Sequence, residues 1–227
     1  MDNVYVDSPE SLETHGSLCE RASSRGAKID VLGDGVLKRV ADAVNPQGVL
    51  AVAQIANPSL ATLAGAGFVL VCVDTADPGN VGTIVRAAAA AGAQAVVVCD
   101  GSVDVYNPKT VRASAGAVFH LPVVSRVAAV EALKFLGTLG FRRVGAVARG
   151  GEPYDTLDVS ASTAIVLGSE SHGIPPDVAG ELDAAVSIPM GSRSESLNVA
   201  MAATVLSFEV ARRVARRKDD GAGYSNG

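Results

Sequence analysis

From Phe68 onward, short apolar runs rich in β-branched residues alternate with helix-like segments, and nothing else in the chain restricts its fold so tightly. Strand-like runs fall at residues 68–73, 95–99, 119–124, 142–148, 163–167 and 185–189. Helix-like stretches fall at residues 79–91, 108–113, 127–139, 176–182 and 196–217. Such alternation predicts an α/β domain on a mainly parallel sheet, with ligands bound where strands end and loops begin. Hydrophobic residues make up 48% of the 227, yet aromatics are only 4% and Trp is absent, so the core must be Val, Ala and Leu. Small and β-branched side chains suit a sheet covered by helices.

The segment before this alternation is shorter and of a different kind. Residues 4–6 and 28–32 read as strands, Ser8-Pro9-Glu10 as a helix start, residues 35–43 as a helix and residues 48–52 as a third strand. A unit of about 60 residues is marginal as an independent core. It opens abruptly inside strand-like sequence, which suggests that something upstream is absent. The linker is placed at Ala56-Asn57-Pro58-Ser59, and residues 219–227 read as a disordered tail.

Composition removes several classes. A net charge of −5 argues against broad non-specific nucleic-acid binding but leaves room for a local basic patch. No apolar run approaches the roughly 20 residues of a membrane span, and no signal-peptide pattern opens the chain. Cys19, Cys72 and Cys99 are far apart and form no CxxC. Two lie in expected strands, so they read as buried free thiols in a reducing cytoplasm. His15, His120 and His172 are scattered, and no metal site is expected.

Three strand exits carry polar chemistry. The first, Asp77-Pro-Gly-Asn-Val-Gly82, leads into an alanine-rich helix with a single arginine, Arg86. Asn80 is a good helix-cap candidate, and a lone arginine on a helix is usually a solvated one. Five alanines after it nevertheless leave Arg86 as the only long side chain there. The second exit, Leu167-Gly-Ser-Glu-Ser-His-Gly-Ile-Pro175, places Glu170 between two glycines. It lacks the Lys of a P-loop, and no GxGxxG occurs anywhere, so a dinucleotide site is poorly supported. The third, Ile188-Pro-Met-Gly-Ser-Arg-Ser-Glu-Ser-Leu-Asn-Val199, offers Ser194 or Ser196 as a cap, with Asn198 in the first turn. The helix that follows is apolar on nearly every side, which at a chain end points to a subunit interface. Its closing Arg212, Arg213, Arg216, Arg217 and Lys218 read first as complements of a helix C-terminus, and second as RNA contacts.

Taken together, in order and spacing, these stretches resemble the SpoU (TrmH-like) family of RNA ribose 2′-O-methyltransferases within the SPOUT superfamily. The resemblance also includes Asn107-Pro-Lys109 through Arg112-Ala-Ser-Ala-Gly116, and covers most of residues 68–217. It implies an α/β methyltransferase domain over residues 58–218 with a deep C-terminal trefoil knot, working as a homodimer in the cytoplasm. Residues 1–57 resemble the latter part of the small ribosomal-protein-like α/β domain that many members use to hold RNA. The resemblance implies S-adenosylmethionine as methyl donor, contacted at Gly168, Ile188, Met190 and Leu197, mostly through backbone. RNA-binding and catalytic roles fall on Asn80, Arg86, Glu170, Ser196 and Asn198, with ribosomal RNA favoured over transfer RNA. Two positions depart from the pattern. The family's glycine two residues after the third-motif Met is here Ser192, and the basic N-terminal half of the RNA-holding domain is missing.

Members of this family are often assigned the motif-one arginine as general base. A guanidinium is effectively never deprotonated in proteins, so Arg86 is better suited to clamping a phosphate and stabilising a developing oxyanion. A base role assisted by the phosphate stays open. Ser196 and Asn198 would orient the hydroxyl, and Glu170 would position the ribose or Asn80. The alternatives are a non-catalytic RNA-binding scaffold and an NAD-dependent oxidoreductase, the latter disfavoured by the missing GxGxxG.

Overall fold

The computed structural model describes residues 1–41, 45–56, 58–159, 162–191 and 196–222, and divides into two compact units, Met1–Ala56 and Asn57–Gly227. In the first, β1 (Asn3–Val6) leads to α1 (Pro9–Thr14), whose start is capped by the Ser8 side chain on Ser11 N–H, with Pro9 in the first turn. Then come α2 (Gly16–Ser23), β2 (Lys28–Val31), α3 (Val36–Val40) and β3 (Val49–Val52). The sheet order is β2-β1-β3, parallel on one side and antiparallel on the other. Its small core is Val4 and Val6 against Cys19, Ala22 and Ala27. The expected helix at 35–43 is five residues long here; residues 42–44 lie outside the described ones.

The second unit alternates as its sequence indicates. It runs β4 (Phe68–Cys72), α4 (Pro78–Ala90), β5 (Ala95–Val98), α5 (Pro108–Ala113), β6 (Val123–Ser125), α6 (Ala129–Thr138), β7 (Arg142–Ala146) and β8 (Glu152–Pro153). It ends with β9 (Thr163–Leu167), α7 (Pro176–Ala179), β10 (Ala184–Ser187) and α8 (Val199–Ala222). The sheet order is β6-β5-β4-β9-β7-β10-β8, with every pairing parallel. Both faces are covered, as a parallel sheet requires. Phe68, Leu70 and Cys72 face α4 and α8, while Val69 and Val71 face α6. The central strands β4, β5 and β9 are buried along their full length. Cys19, Cys72 and Cys99 are free and buried, and burial pushes the Cys99 thiol up to about 12.

Several expectations are corrected. The strand expected at 119–124 begins only at Val123, and Ala117–Phe119 form a 3-10 turn instead. Gly116 at φ +87° redirects the chain there, which leaves Phe119 67% exposed. The cap of α4 is Asp77, not Asn80, its carboxylate accepting from Asn80 N–H at 2.8 Å. The cap of α8 is Asn198, so the helix begins at Val199 rather than at Ser196, and Ser194 lies outside the described residues. Nor is α8 apolar on a wholly buried surface: Ala203, Leu206 and Val210 are buried within the protomer, while Met201 and Phe208 are 62% and 50% exposed. The helix continues through Ala222, into the segment expected as a tail, and residues 223–227 lie outside the described ones.

Candidate active site

The second unit gathers its polar strand exits at the carboxyl ends of β4 and β9, next to the loop that leads from β10 into α8. After β9, the chain makes a tight hairpin in which Ser169 and Gly173 exchange both backbone hydrogen bonds, at 3.0 and 2.9 Å. Gly173 takes φ +70°, and Gly168 packs so closely that a Cβ there would stand 2.3 Å from the Gly173 carbonyl carbon. Only glycine fits at 168. The Ser169 hydroxyl accepts from Ser171 N–H, at 3.3 Å, and from His172 N–H, at 3.4 Å. Glu170 is thereby presented at the tip of a braced turn.

Beside this turn lies a cavity of about 520 Å³. Its apolar wall includes Leu167, Ile188, Met190, Leu197 and Leu206, and its polar rim includes Glu170, Ser196 and Asn198. An apolar cleft with a few convergent polar groups is the usual form of a small-molecule site. Gly168, Ile188, Met190 and Leu197, singled out in the sequence, all line it. The side-chain-free backbone at 168, set against an apolar wall with a carboxylate at its edge, suits an adenosyl sulfonium, so the residues present fit S-adenosylmethionine.

Asn80 enters the same assembly from α4. Its Nδ2 donates to Glu170 Oε1 at 2.7 Å, and its Oδ1 accepts from Asn198 Nδ2 at 3.0 Å. Asn198 Oδ1 in turn accepts from Ala200 N–H at 2.9 Å as the helix cap. Asp77 makes this possible: by capping α4 itself, it frees the Asn80 amide for the site. Three strand exits are thus joined by two side-chain hydrogen bonds.

Arg86 stands apart. Six residues along a helix place it about 9 Å further and about 120° around from Asn80. It is exposed, does not line the cavity, and makes no ion pair among the described residues. The glycine at 82, one turn earlier, is buried because α5 crosses there; its Cβ would lie 2.4 Å from Thr110 O. The cavity also takes in residues that the sequence does not single out: Ala146 at the end of β7, Val147 and Ala148 after it, and His172 in the hairpin. A strand end was the only signal for the first three. His172 lies inside the second motif, two residues after Glu170, and nothing in the sequence sets it apart from a surface histidine.

Midway along α8, Glu209 is 8% exposed and accepts from Arg212 and Arg213. Those hydrogen bonds hold its carboxyl below the ordinary carboxylate range. Arg213 also donates to Asp155 O. These arginines therefore tie the helix to the domain two turns before its end. The side chains of Arg217 and Lys218 lie outside the described ones.

Comparison with known proteins gives the same class. A family model described as the SpoU rRNA Methylase family matches residues 67–208. The chain is 35% identical over 187 residues, 82% of its length and 73% of the relative's, to the 23S rRNA (guanosine(2553)-2′-O)-methyltransferase RlmP of Bacillus subtilis. It is also 35% identical to an uncharacterized tRNA/rRNA methyltransferase of Mycobacterium tuberculosis, but spans only 52% of that protein. An AdoMet-bound rRNA methyltransferase from Sinorhizobium meliloti superposes with a TM-score of 0.82 at 27% identity, covering 94% of this chain and 80% of that one. The SpoU methyltransferase AviRb from Streptomyces viridochromogenes gives 0.80 at 26% identity, covering 95% and 83%. Fold, cavity and relatives define an S-adenosylmethionine-dependent RNA 2′-O-methyltransferase. The chain belongs to the SpoU rRNA methylase family.

Proposed function

We propose that this protein methylates a ribose 2′-hydroxyl of ribosomal RNA, with the hydroxyl held at the Asn80–Glu170–Asn198 assembly. The observation that carries the reading is this hydrogen-bonded assembly at the rim of an apolar cavity. S-adenosylmethionine supplies an electrophilic methyl group on a positive sulfonium. Gly168, Ile188, Met190 and Leu197 hold the donor in the apolar part of the cavity, while Ser196 and Asn198 orient the hydroxyl at its rim. Transfer neutralises charge, so alignment and a more nucleophilic oxygen are what the protein must contribute. Arg86, outside the cavity, grips a neighbouring phosphate through its planar fork. A non-catalytic scaffold would have no use for the hydrogen-bonded link between strand exits.

The protein works in this reading as a homodimer in the cytoplasm. Met201 and Phe208 on α8 and Phe119 beside α4 are large apolar side chains left open on the protomer, which a second copy would cover. No helix among the described residues is long and apolar enough to cross a membrane. The first unit, a partial ribosomal-protein-like domain, holds RNA. It carries eight Asp and Glu against five Lys and Arg, so its contact is local, through the exposed Arg21, Arg25 and Lys28. The RlmP relative acts on 23S rRNA, which makes that molecule the first to test. Purified protein, labelled donor and ribosomal RNA should yield labelled nucleotides resistant to alkaline hydrolysis on their 3′ side. Base methylation, or label in transfer RNA alone, would overturn the assignment.

A further inference from the structure

If Arg86 remains a protonated clamp, something else must receive the proton that the hydroxyl loses. The hydrogen bonds of the site fix which way each amide faces. The backbone N–H groups of Ala200 and Met201 converge on one atom of Asn198, at 2.9 and 3.4 Å. An amide nitrogen cannot accept, so that atom is the oxygen. The Asn198 nitrogen then faces Asn80, which must present its oxygen, at 3.0 Å. This turns the Asn80 nitrogen toward Glu170, and the contact at 2.7 Å requires a carboxylate oxygen as acceptor. The polarity therefore runs one way, from the α8 cap through two amides to Glu170 Oε1.

Two consequences follow for a hydroxyl arriving at the rim. The Asn198 oxygen is already engaged by two backbone donors, and its nitrogen can only donate. Neither amide has the basicity to take a proton. Glu170 Oε2 has no partner among the described residues, while Oε1 is held by Asn80. Among the described residues lining the cavity, Glu170 is the only acid and His172 the only other titratable group. The braced hairpin and the Asn80 contact hold the carboxylate from two sides, as a preorganised base requires.

We propose that Glu170 is the proton acceptor of the reaction, taking the 2′-hydroxyl proton on Oε2; this rests on the ribose methyltransferase reading given above. In the step, the O2′–H bond breaks and its proton passes to Oε2. The O2′–CH3 bond forms as the S–CH3 bond breaks, its electron pair staying on sulfur as a neutral thioether. Protonated Glu170 then returns its proton to water. Arg86 carries no vacancy for a proton and keeps the phosphate in place. Asn80 acts through Glu170 as a positioning residue, and Asn198 holds Asn80 in turn while also orienting the hydroxyl.

Glu170→Gln tests this cleanly. The new amide oxygen can still accept from Asn80, while an N–H donor replaces Oε2. The expected result is a kcat loss of about 10²–10⁴-fold, with donor Kd and RNA KM little changed. The wild-type kcat should fall on the acid side as a carboxylate protonates, and the Gln variant should lack that limb. His172→Gln should still show it, which separates the two titratable groups of the cavity. A Gln variant with kcat near wild type, or one that retains the acid limb, overturns the proposal while the ribose reading stands. A wild-type protein that binds donor but methylates no ribose overturns both.

Discussion

The Asn198 amide donates to Asn80 across 3.0 Å, joining two residues 118 positions apart in the chain. The same Asn198 caps α8 through its oxygen, so helix start and site share one side chain. Asp is as good a cap as Asn but cannot donate from its side chain. Asn198→Asp should therefore unfold at nearly the wild-type temperature yet lose most methyl transfer. Asn198→Ala should lose transfer and also about 1 kcal/mol of stability with the cap. Calorimetry beside a methylation assay checks both; an active Asp variant would break the proposed link.

The exposed stripe of α8 separates folding from association. Ala203 is fully buried in the protomer core, so Ala203→Arg should destabilise the monomer itself by more than about 3 kcal/mol, as an unpaired buried charge does. Phe208, half exposed, is the proper probe of the interface. Phe208→Glu should leave the melting temperature of the protomer largely intact and shift the mass in light scattering from dimer toward monomer. A wild-type protein of monomeric mass at micromolar concentration would end the homodimer reading.

Gly168 is a poor position at which to test donor binding alone. A single methyl group there meets the Gly173 carbonyl and Ile174 nitrogen, at 2.3–2.5 Å, and must open the hairpin that presents Glu170. Gly168→Ala should lower thermal stability, donor affinity and turnover together. Met190→Ala, on the cavity wall but only half-buried, should weaken donor binding in titration calorimetry with little effect on stability. Unchanged affinity in the Met190 variant would move the donor elsewhere.

Much of this architecture is legible because a parallel sheet writes its strands as continuous apolar runs: residues 163–167 match β9 to the residue, and β4 and β5 match within one, while the helix at 108–113 matches α5 to the residue. The polar strand exits were legible as well, since Asn80, Glu170 and Asn198 serve no packing need. The errors have local causes. Phe119 has strand propensity, but Gly116 and Pro122 around it favour a turn. Asn198 and Ser196 are both good caps, and only the chain path decides between them. The apolar surface of α8 looked uniform because a single sequence cannot distinguish a helix side buried in its own protomer from one left open.

Acid should loosen the middle of α8. Hydrogen bonds from Arg212, then from Arg213, hold the Glu209 carboxyl below its ordinary value near 4.3. A folded-state value below the unfolded one contributes stability that is fully present above the unfolded value and is lost as pH falls through the folded one. Wild type should therefore be more stable than Glu209→Gln at neutral pH, and the difference should shrink progressively below about pH 4.5. Denaturation curves across that range test the sign. A difference that is constant with pH would mean that packing, not ionisation, is what Glu209 contributes.

Arg86 gives the sharpest separation of chemistry from binding. Because its side chain is exposed and lies outside the cavity, Arg86→Ala should leave donor affinity and thermal stability nearly unchanged. Methyl transfer should nonetheless fall by about 10²-fold or more, the scale of rate lost when a substrate is misplaced by about 1 Å. Loss of the phosphate grip should also raise KM for RNA. Lysine keeps the charge but not the planar fork, so Arg86→Lys should recover little at any pH. With the proton going to Glu170, nothing in that variant waits on the lysine to deprotonate. A lysine variant whose rate climbed steeply between about pH 8 and about pH 10, toward its ordinary pKa near 10.4, would instead place the base at position 86. Full activity in Arg86→Ala would remove the residue from the reaction.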